Sequence, residues 1–199
     1  SYKDYETYKR DGANVDKLLV CPNGAQHRDY HFTEKPLKPS WTLYLGRIEP
    51  RKRQYLYQDI YGVEFVGKYT DTTSFDRNRD CYLGQWEHEY KLQHVTDYGN
   101  MMLLSDGENG TPLVIKEALV AGLGVVVSKY AAHDLDTSLP FVTVIPDDKW
   151  EDIEYVQEKL IENRKISVTM RKEIRQYGVD NFSWQKLVKT YVENIEGME

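Results

Sequence analysis

The chain has 199 residues, of which 40% are apolar and 29% are charged, and its formal net charge is -6. These values predict one compact, water-soluble domain and exclude a largely disordered chain. The acidic balance argues against a nucleic-acid partner, because affinity for phosphate backbones comes mainly from clustered Lys and Arg.

No targeting or membrane-spanning segment is expected. The longest uncharged apolar run, residues 118–127, is about half of the roughly 20 residues that a membrane-spanning helix needs. Residues 1–10 carry charges throughout, unlike a secretory signal or a transit peptide. The two cysteines, Cys21 and Cys81, show neither a disulfide framework nor metal-ligand spacing. We therefore expect a cytoplasmic protein.

Short apolar runs alternate with longer amphipathic stretches along the chain. The pattern predicts strands at 18–21, 42–45, 63–66, 81–83, 101–104, 125–128 and 141–145. It predicts helices at 51–60, 87–97, 112–121, 150–162, 168–177 and 184–195. Alternation of this kind indicates βαβ units, and continuous apolar strands are typical of a sheet covered on both faces. The predicted fold class is therefore α/β, a doubly wound parallel sheet.

The first candidate site segment follows the predicted strand 42–45. Gly46 marks the turn at the carboxyl end of that strand, and Arg47 and Lys52 follow five residues apart. Ligands of open α/β sheets bind at this edge. A guanidinium and an ammonium placed there can hold one diphosphate from two sides, although both residues also fit an ordinary solvated surface.

The second segment, residues 105–118, follows the predicted strand 101–104. Thr111 is a suitable N-cap, Pro112 suits the first helical position, and Gly110 lets a ligand approach the backbone closely. The unpaired amides of the first turn, which includes Leu113 and Val114, form an anion site at a helix N-terminus.

Glu117 lies about one and a half turns into the same predicted helix. A carboxylate at that depth can accept hydrogen bonds from both hydroxyls of a ribose, each worth about 1.5–3 kcal/mol. A glutamate on a solvated helix face has the same sequence appearance.

Two sequence patterns resemble metal-binding motifs, but neither indicates a metal site. His88-Glu89 is followed by His94, six residues after the first histidine instead of the four that a zinc-protease helix requires. Asp134-Leu135-Asp136 has the spacing of a metal-binding carboxylate pair, but the chain has 32 acidic residues, so such triplets arise easily. No metal site is expected.

Taken in order, the segments resemble the carboxyl-terminal half of GT-B glycosyltransferases, within the retaining group called family 4 or group 1. The resemblance spans about residues 18–190 and rests on the order and spacing of seven pieces, at 20–25, 44–52, 65–67, 83–84, 104–121, 124–128 and 182–184. It implies a Rossmann-like sheet with C-terminal helices and a hexosyltransferase-type activity. The donor implied is a nucleoside diphosphate sugar, used without a metal ion or other cofactor.

The resemblance assigns roles to individual residues. The family's arginine and lysine, which grip the diphosphate, are by position Arg47 and Lys52. Its two glutamates stand eight apart, the first touching the donor sugar and the second the ribose. Glu117 fills the second place, whereas the first is Asn109, with Glu108 one position early.

We therefore expect Asn109 to touch the sugar and to act with Arg47 and Lys52 as the catalytic set. Entry of Glu108 through a local bulge stays open. The nucleotide-sugar site implied in full is Gly46, Arg47, Lys52, Glu108, Asn109, Gly110, Thr111, Pro112, Leu113, Val114 and Glu117.

Family members also carry an N-terminal acceptor-binding domain, for which the 199 residues have no room. Residues 1–16 resemble its last helix, 17–180 the nucleotide-sugar-binding domain, and 181–199 a helix that packs on the missing domain. We expect a fragment that binds a nucleotide sugar and transfers little or nothing alone. The expected acceptor is a glycan, a lipid or a protein. We expect no transmembrane segment in the chain, and peripheral association with a membrane is compatible with the sequence.

Two other classes of function stay open. The chain could be a non-catalytic nucleotide- or sugar-binding module, which Asn109 in place of a glutamate favours. It could also be a doubly wound protein of unrelated function, such as a nucleotide-dependent reductase. That function requires a Gly-x-Gly-x-x-Gly turn after the first strand, and the sequence has none.

Overall fold

The described residues form a parallel β-sheet with the strand order β2-β1-β3-β4-β5. The structure is a computed structural model that describes residues 2–70 and 74–197. The strands are β1 (Lys38–Leu45), β2 (Val63–Val66), β3 (Tyr98–Leu103), β4 (Gly124–Ser128) and β5 (Val142–Ile145). Every strand pair in this part of the chain is parallel, as the doubly wound prediction requires.

Helices flank the sheet and close the chain. They are α1 (Tyr2–Arg10), α2 (His88–His94), α3 (Leu113–Val120), α4 (Ile153–Thr169), α5 (Arg171–Phe182) and α6 (Trp184–Glu196). Short 3-10 turns form at Val15–Lys17, Pro50–Lys52, Gln54–Leu56 and Val95–Asp97. All residues of β2, β3 and β4 are buried, so both faces of the central sheet are covered.

A buried polar network fixes α4 beneath the strands that lead into the predicted site. The Thr42 hydroxyl donates to Asn100 Oδ1 at 2.6 Å, and Asn100 Nδ2 donates to Asn163 Oδ1 at 3.0 Å. Asn163 Nδ2 lies within hydrogen-bond distance of two backbone carbonyls, Val125 O in β4 and Phe141 O directly before β5. Because each buried polar group has a partner, the network orients β1, β3 and α4 rather than destabilising the core.

The prediction of a helix at residues 51–60 is wrong. Two 3-10 turns replace it, separated by Arg53, which has the left-handed backbone φ 56° and ψ 18°. The Gln54 side chain donates to Arg47 O at 2.8 Å and accepts from Glu49 N. Contacts of Gln54 with the preceding loop therefore outweigh local helix propensity.

Two predicted strands are also absent from the described residues. Residues 81–83 contribute an isolated bridge between Tyr82 and Phe65, which extends the sheet edge by one residue pair. Residues 18–21 are irregular and partly exposed, lying beside Tyr5 and Tyr8 of α1. A run of four apolar residues does not distinguish a strand from a segment that covers a helix.

Candidate functional site

The predicted site segments converge at the carboxyl edge of the sheet. β1 ends at Leu45 and β3 at Leu103, and the register Leu43↔Met101 aligns their ends. The loop after β2 also approaches closely, since a Cβ on Gly67 would lie 1.9 Å from Gly46 O, and the φ of Gly67 is +155°. A residue larger than glycine at position 67 would push the loop that carries Arg47 away from the sheet.

Lys52 is buried and forms a hydrogen-bonded ion pair with Glu108. Arg51 approaches the other carboxylate oxygen, with Nη1 3.6 Å from Glu108 Oε2. Although burial alone would raise the pKa of Glu108, the hydrogen bond from Lys52 and the charges of Lys52 and Arg51 outweigh it and lower that pKa. The structure thus brings together two residues that lie 56 positions apart in the sequence.

Tyr44 anchors Lys52 to the end of β3. Its fully buried hydroxyl donates to Lys52 O and accepts from Leu104 N at 3.1 Å, and burial raises its pKa. Sequence reasoning missed Tyr44 because a tyrosine inside an apolar strand looks like any core aromatic. The contact fixes the backbone from which the Lys52 side chain extends.

Arg47 is not part of the Lys52–Glu108 pair. Its side chain is 63% exposed, and its ion pair among the described residues joins Nη1 to Glu49 Oε2 at 3.6 Å. The guanidinium therefore stands at the solvent-facing side of the loop that begins at Gly46.

The start of α3 differs from the prediction by one residue. Pro112 is the N-cap and Leu113 the first helical residue, so Thr111 as the N-cap is wrong. Instead, Thr111 is bound to Asp134, whose amide donates to Thr111 Oγ1 at 2.9 Å and whose Oδ2 accepts from Thr111 N at 3.3 Å. These paired bonds hold Thr111 outside the helix, which begins one residue later.

A cleft of about 270 Å³ opens at this end of α3. The predicted residues that line it are Asn109, Gly110, Thr111, Pro112 and Leu113. Gly110 has φ 147°, a backbone conformation that residues with a side chain rarely adopt. Among the described residues, the other predicted ones, Gly46, Arg47, Lys52, Glu108, Val114 and Glu117, do not line this cleft.

Lys116 is a site residue that sequence reasoning missed. Its side chain is almost fully buried at the cleft, where Nζ donates to Asn23 O at 3.1 Å and to Asp134 Oδ2 at 3.2 Å. Lys116 and Glu117 are the two charged residues of α3, whose other six residues are apolar. This pattern is the signal that could have found Lys116, because lysine is almost never fully buried without a partner.

Glu117 is buried and lies in a separate cluster. Its Oε1 is 2.8 Å from Lys91 Nζ on α2. Burial first, and then the charge of Glu117, raise the pKa of Tyr30, which packs at the same place. Within the described ranges, no hydrogen bond or ion pair joins Glu117 to Arg47, Lys52 or Glu108. The predicted residues are thus divided among a Lys52–Glu108 pair, the α3 cleft and the Glu117–Lys91 pair.

Neither metal clusters nor spanning helices occur in the part of the chain that the structure describes. No three His, Cys, Asp or Glu side chains there lie close enough to hold a metal ion. No helix among those residues combines the length and the apolar character needed to cross a membrane.

No protein-family model and no curated protein sequence matches the chain. Solved structures do match its fold. Anabaena HepE in complex with UDP superposes with a TM-score of 0.76 at 14% identity, covering 99% of this chain and 62% of HepE. Sucrose-phosphate synthase from Thermosynechococcus elongatus gives 0.69 at 18% identity, covering 100% and 57%.

The pneumococcal O-GlcNAc transferase GtfA, in complex with UDP and GlcNAc, gives 0.70 at 13% identity, covering 98% of this chain and 42% of GtfA. The chain therefore spans about two fifths to three fifths of the length of these structures. Likeness at such identities shows the fold. The predicted fold class, a Rossmann-like parallel sheet matching the C-terminal half of the GT-B fold, is confirmed.

Proposed function

We propose that the chain is the donor-binding domain of a retaining, family 4 GT-B glycosyltransferase, and that it binds a nucleoside diphosphate sugar. The observation that carries the proposal is the start of α3 at the carboxyl edge of the sheet, where Asn109 and Gly110 line an open cleft. Lys52, paired with Glu108, lies in the adjoining segment. The structures of HepE and GtfA with UDP support this ligand class.

The diphosphate would bind to the first-turn amides of α3. The amides of Leu113 and Val114 have no acceptor within the helix, and the helix dipole adds about 0.3–1 kcal/mol for each favourable charge. Lys52 would supply the neighbouring positive charge, and Arg47 would reach in from solvent. These cations would stabilise the negative charge that grows on the leaving diphosphate as the glycosidic bond breaks.

The Lys52–Glu108 pair means that the diphosphate competes with an internal carboxylate. Both side chains are nearly buried, so a diphosphate that binds Lys52 must share it with Glu108 or displace that carboxylate. Arg51 would then hold Glu108 from the other side, since Nη1 lies 3.6 Å from Oε2.

The positions of Asn109 and Glu108 favour Asn109 as the residue that touches the donor sugar. Asn109 lines the cleft, and Glu108 does not. In the same proposal Glu117 accepts the ribose hydroxyls, and Lys91 holds its carboxylate at 2.8 Å.

The remaining parts of the proposal concern the complete enzyme. Transfer would be of the hexosyl type and independent of metal, with a glycan, lipid or protein as acceptor. A separate acceptor domain would precede the chain, residues 1–16 would be its last helix, and 181–199 would pack on it. The chain would be cytoplasmic, a location that is compatible with peripheral association with a membrane. Alone, it would transfer little or no sugar.

Calorimetry with UDP, GDP, ADP and their glucose esters tests the site. The parent chain should bind at least one of them, and Lys52→Gln should weaken binding at least tenfold, about 1.4 kcal/mol, because it removes a charge while keeping a donor for Glu108. Glu108→Gln should change affinity in the opposite direction. Lys165→Gln, at an exposed position on α4, is the matched control. Binding of no nucleotide, or unchanged binding by Lys52→Gln, would contradict the proposal.

A non-catalytic nucleotide- or sugar-binding module is the second candidate. Asn109 in place of an acid at the cleft and the occupied Lys52 ammonium favour it. A transfer assay on a longer parent chain separates the two functions. Loss of transfer in Lys52→Ala of that chain supports the enzyme, while nucleotide binding without transfer by the unaltered parent supports the module.

A further inference from the structure

A second cavity lies at the opposite end of the sheet from the α3 cleft. It has a volume of about 670 Å³ and is bounded by Trp41 of β1, by residues 58–64, which include the first two residues of β2, and by residues 78–81. Because the strands are parallel and residues 58–62 precede β2, this cavity is at an amino end, whereas the α3 cleft is at the carboxyl edge. Its volume is typical of a small-ligand site, roughly 300–1,000 Å³.

Hydrogen bonds fix both walls of the cavity. Gln58, which is buried, donates from Nε2 to Asp76 O at 2.9 Å and accepts from Asp76 N at 2.8 Å. Arg79 Nη2 lies 2.6 Å from Asp59 Oδ1 and joins the two segments a second time. These contacts fix the two wall segments relative to each other.

An aromatic pair borders the cavity: Trp41 is partly buried, with Lys38 Nζ 5.7 Å from its ring centroid, and Tyr61 is exposed. The Trp41 and Tyr61 rings lie 5.8 Å apart between centroids and are tilted by 48°. Tyr61 is 82% exposed, so the ring faces water although it already packs beside Trp41. Paired rings with a polar edge are suited to ligands that have one apolar face and one hydroxylated edge.

The polar groups around the rings are planar and mainly acidic. Glu64 is buried at the wall, with Oε2 2.6 Å from Lys38 Nζ and a hydrogen bond from the Tyr98 hydroxyl. Asp59, Asn78 and Asp80 also line the cavity, and Arg79, the cation that lines it, is already paired with Asp59. This charge balance disfavours phosphorylated or other anionic ligands.

We propose that the cavity binds a neutral oligosaccharide. The C–H face of a sugar ring would pack on Tyr61 and Trp41, while carboxylate and amide groups such as those of Asp80 and Asn78 would accept and donate hydrogen bonds at its hydroxyls. The site is independent of the nucleotide cleft, so it stands whether or not the chain binds a nucleotide sugar.

Binding to an immobilised array of neutral and acidic oligosaccharides tests this inference. The parent chain should bind neutral glycans, and Tyr61→Ala should reduce the bound signal at least tenfold. Removal of so exposed a ring leaves the core intact, and Asp80→Asn, which keeps the shape, provides a second variant. Tyr8→Ala, at another exposed tyrosine on α1, should bind like the parent.

Nucleotide calorimetry on the same variants separates the two sites, because Tyr61→Ala should bind nucleotides like the parent. Four outcomes would overturn the inference. They are no bound glycan, binding of acidic glycans only, unchanged binding by Tyr61→Ala, or displacement of the glycan by UDP, which would place it in the α3 cleft.

Discussion

Three lysines of the candidate site are each paired with a carboxylate in the chain without ligand. Lys52, Lys91 and Lys116 each have a carboxylate partner, on Glu108, Glu117 and Asp134 respectively. These carboxylates neutralise the ammonium groups of the buried Lys52 and Lys116 and of the half-buried Lys91. Burial of an unpaired charge would destabilise the fold. An anionic ligand must therefore compete with these carboxylates for the lysine ammonium groups.

The low pKa of Glu108 predicts a dependence of stability on pH. A carboxyl whose folded pKa lies below its ordinary 4.5 contributes stability above 4.5, and loses it as the pH falls through the folded pKa. Glu108→Gln should therefore lose less unfolding free energy than the parent between about pH 6 and about pH 3. Urea denaturation across that range measures the loss. Glu154→Gln, at an exposed glutamate on α4, should follow the parent. Equal acid slopes for Glu108→Gln and the parent would contradict the prediction.

The residues that sequence reasoning could and could not find differ in where their partners lie. Gly110, Pro112 and Lys52 could be singled out because they belong to short segments with a local physical signal, although Pro112 is the N-cap and not the predicted first helical residue. Lys91, Asp134 and Tyr44 were not, because their roles depend on partners 18 to 60 positions away. Only the fold brings such pairs together.

At the scale of elements, α3 owes its position to a close crossing with α5. A Cβ on Gly178 of α5 would lie 2.5 Å from Leu119 C and 2.6 Å from Val120 N, both on the backbone of α3. The two helices therefore approach at a distance that requires glycine. α3 carries the first-turn amides and Glu117, so this crossing also sets the geometry of the candidate site.

Gly178→Ala should destabilise the chain by about 1–3 kcal/mol, because backbone atoms cannot give way as a flexible side chain does. Chemical denaturation should show a lower midpoint with an unchanged slope. Gly197→Ala, where the nearest contact of an added Cβ is 3.4 Å away, is the control and should change stability by less than about 0.5 kcal/mol. If Gly178→Ala is as stable as the parent, α3 and α5 do not approach closely enough at this crossing to require glycine.

Periodicity predicted most elements but failed where tertiary contacts intervene. β2 was predicted with its observed bounds, and α6 to within one residue, because both have a pattern that runs unbroken. Residues 51–60 have helix-like composition, yet the left-handed Arg53 divides them. The Gln54 bonds to the loop after β1 favour that break, and no local pattern indicates them.

At the scale of the whole molecule, α6 presents an uncovered apolar stripe. Val188, Tyr191, Val192 and Ile195 recur at helical spacing and are 38–49% exposed. At the edge of this stripe, Leu187 packs at Gly24 instead, where an added Cβ would lie 2.8 Å from Leu187 Cδ1. This stripe is the surface that the proposed function assigns to the acceptor domain.

The stripe should contribute little to the stability of this chain. The double variant Val188→Ser, Val192→Ser should unfold within about 0.5 kcal/mol of the parent, since neither side chain fills the core. Leu187→Ala should destabilise by about 1 kcal/mol or more through lost packing. Thermal or urea denaturation compares them. Equal destabilisation by both variants would mean that the stripe is covered within the chain itself.

The fold as a whole was predictable because it depends on patterns that recur along the chain. Continuous apolar strands alternating with helices indicate a covered parallel sheet, and the observed order β2-β1-β3-β4-β5 is of that kind. The Asn100–Asn163 network beneath it was not predictable. A buried asparagine has the same sequence appearance as a surface one until its partners are known.

A crystal structure of the chain with whichever of UDP, GDP or ADP binds most tightly tests whether Lys52 and the start of α3 hold the diphosphate. We expect diphosphate oxygens about 3 Å from Lys52 Nζ and from the amide nitrogen of Leu113 or Val114. A nucleotide bound elsewhere, with Lys52 still paired to Glu108 and the start of α3 empty, would contradict the proposed diphosphate site.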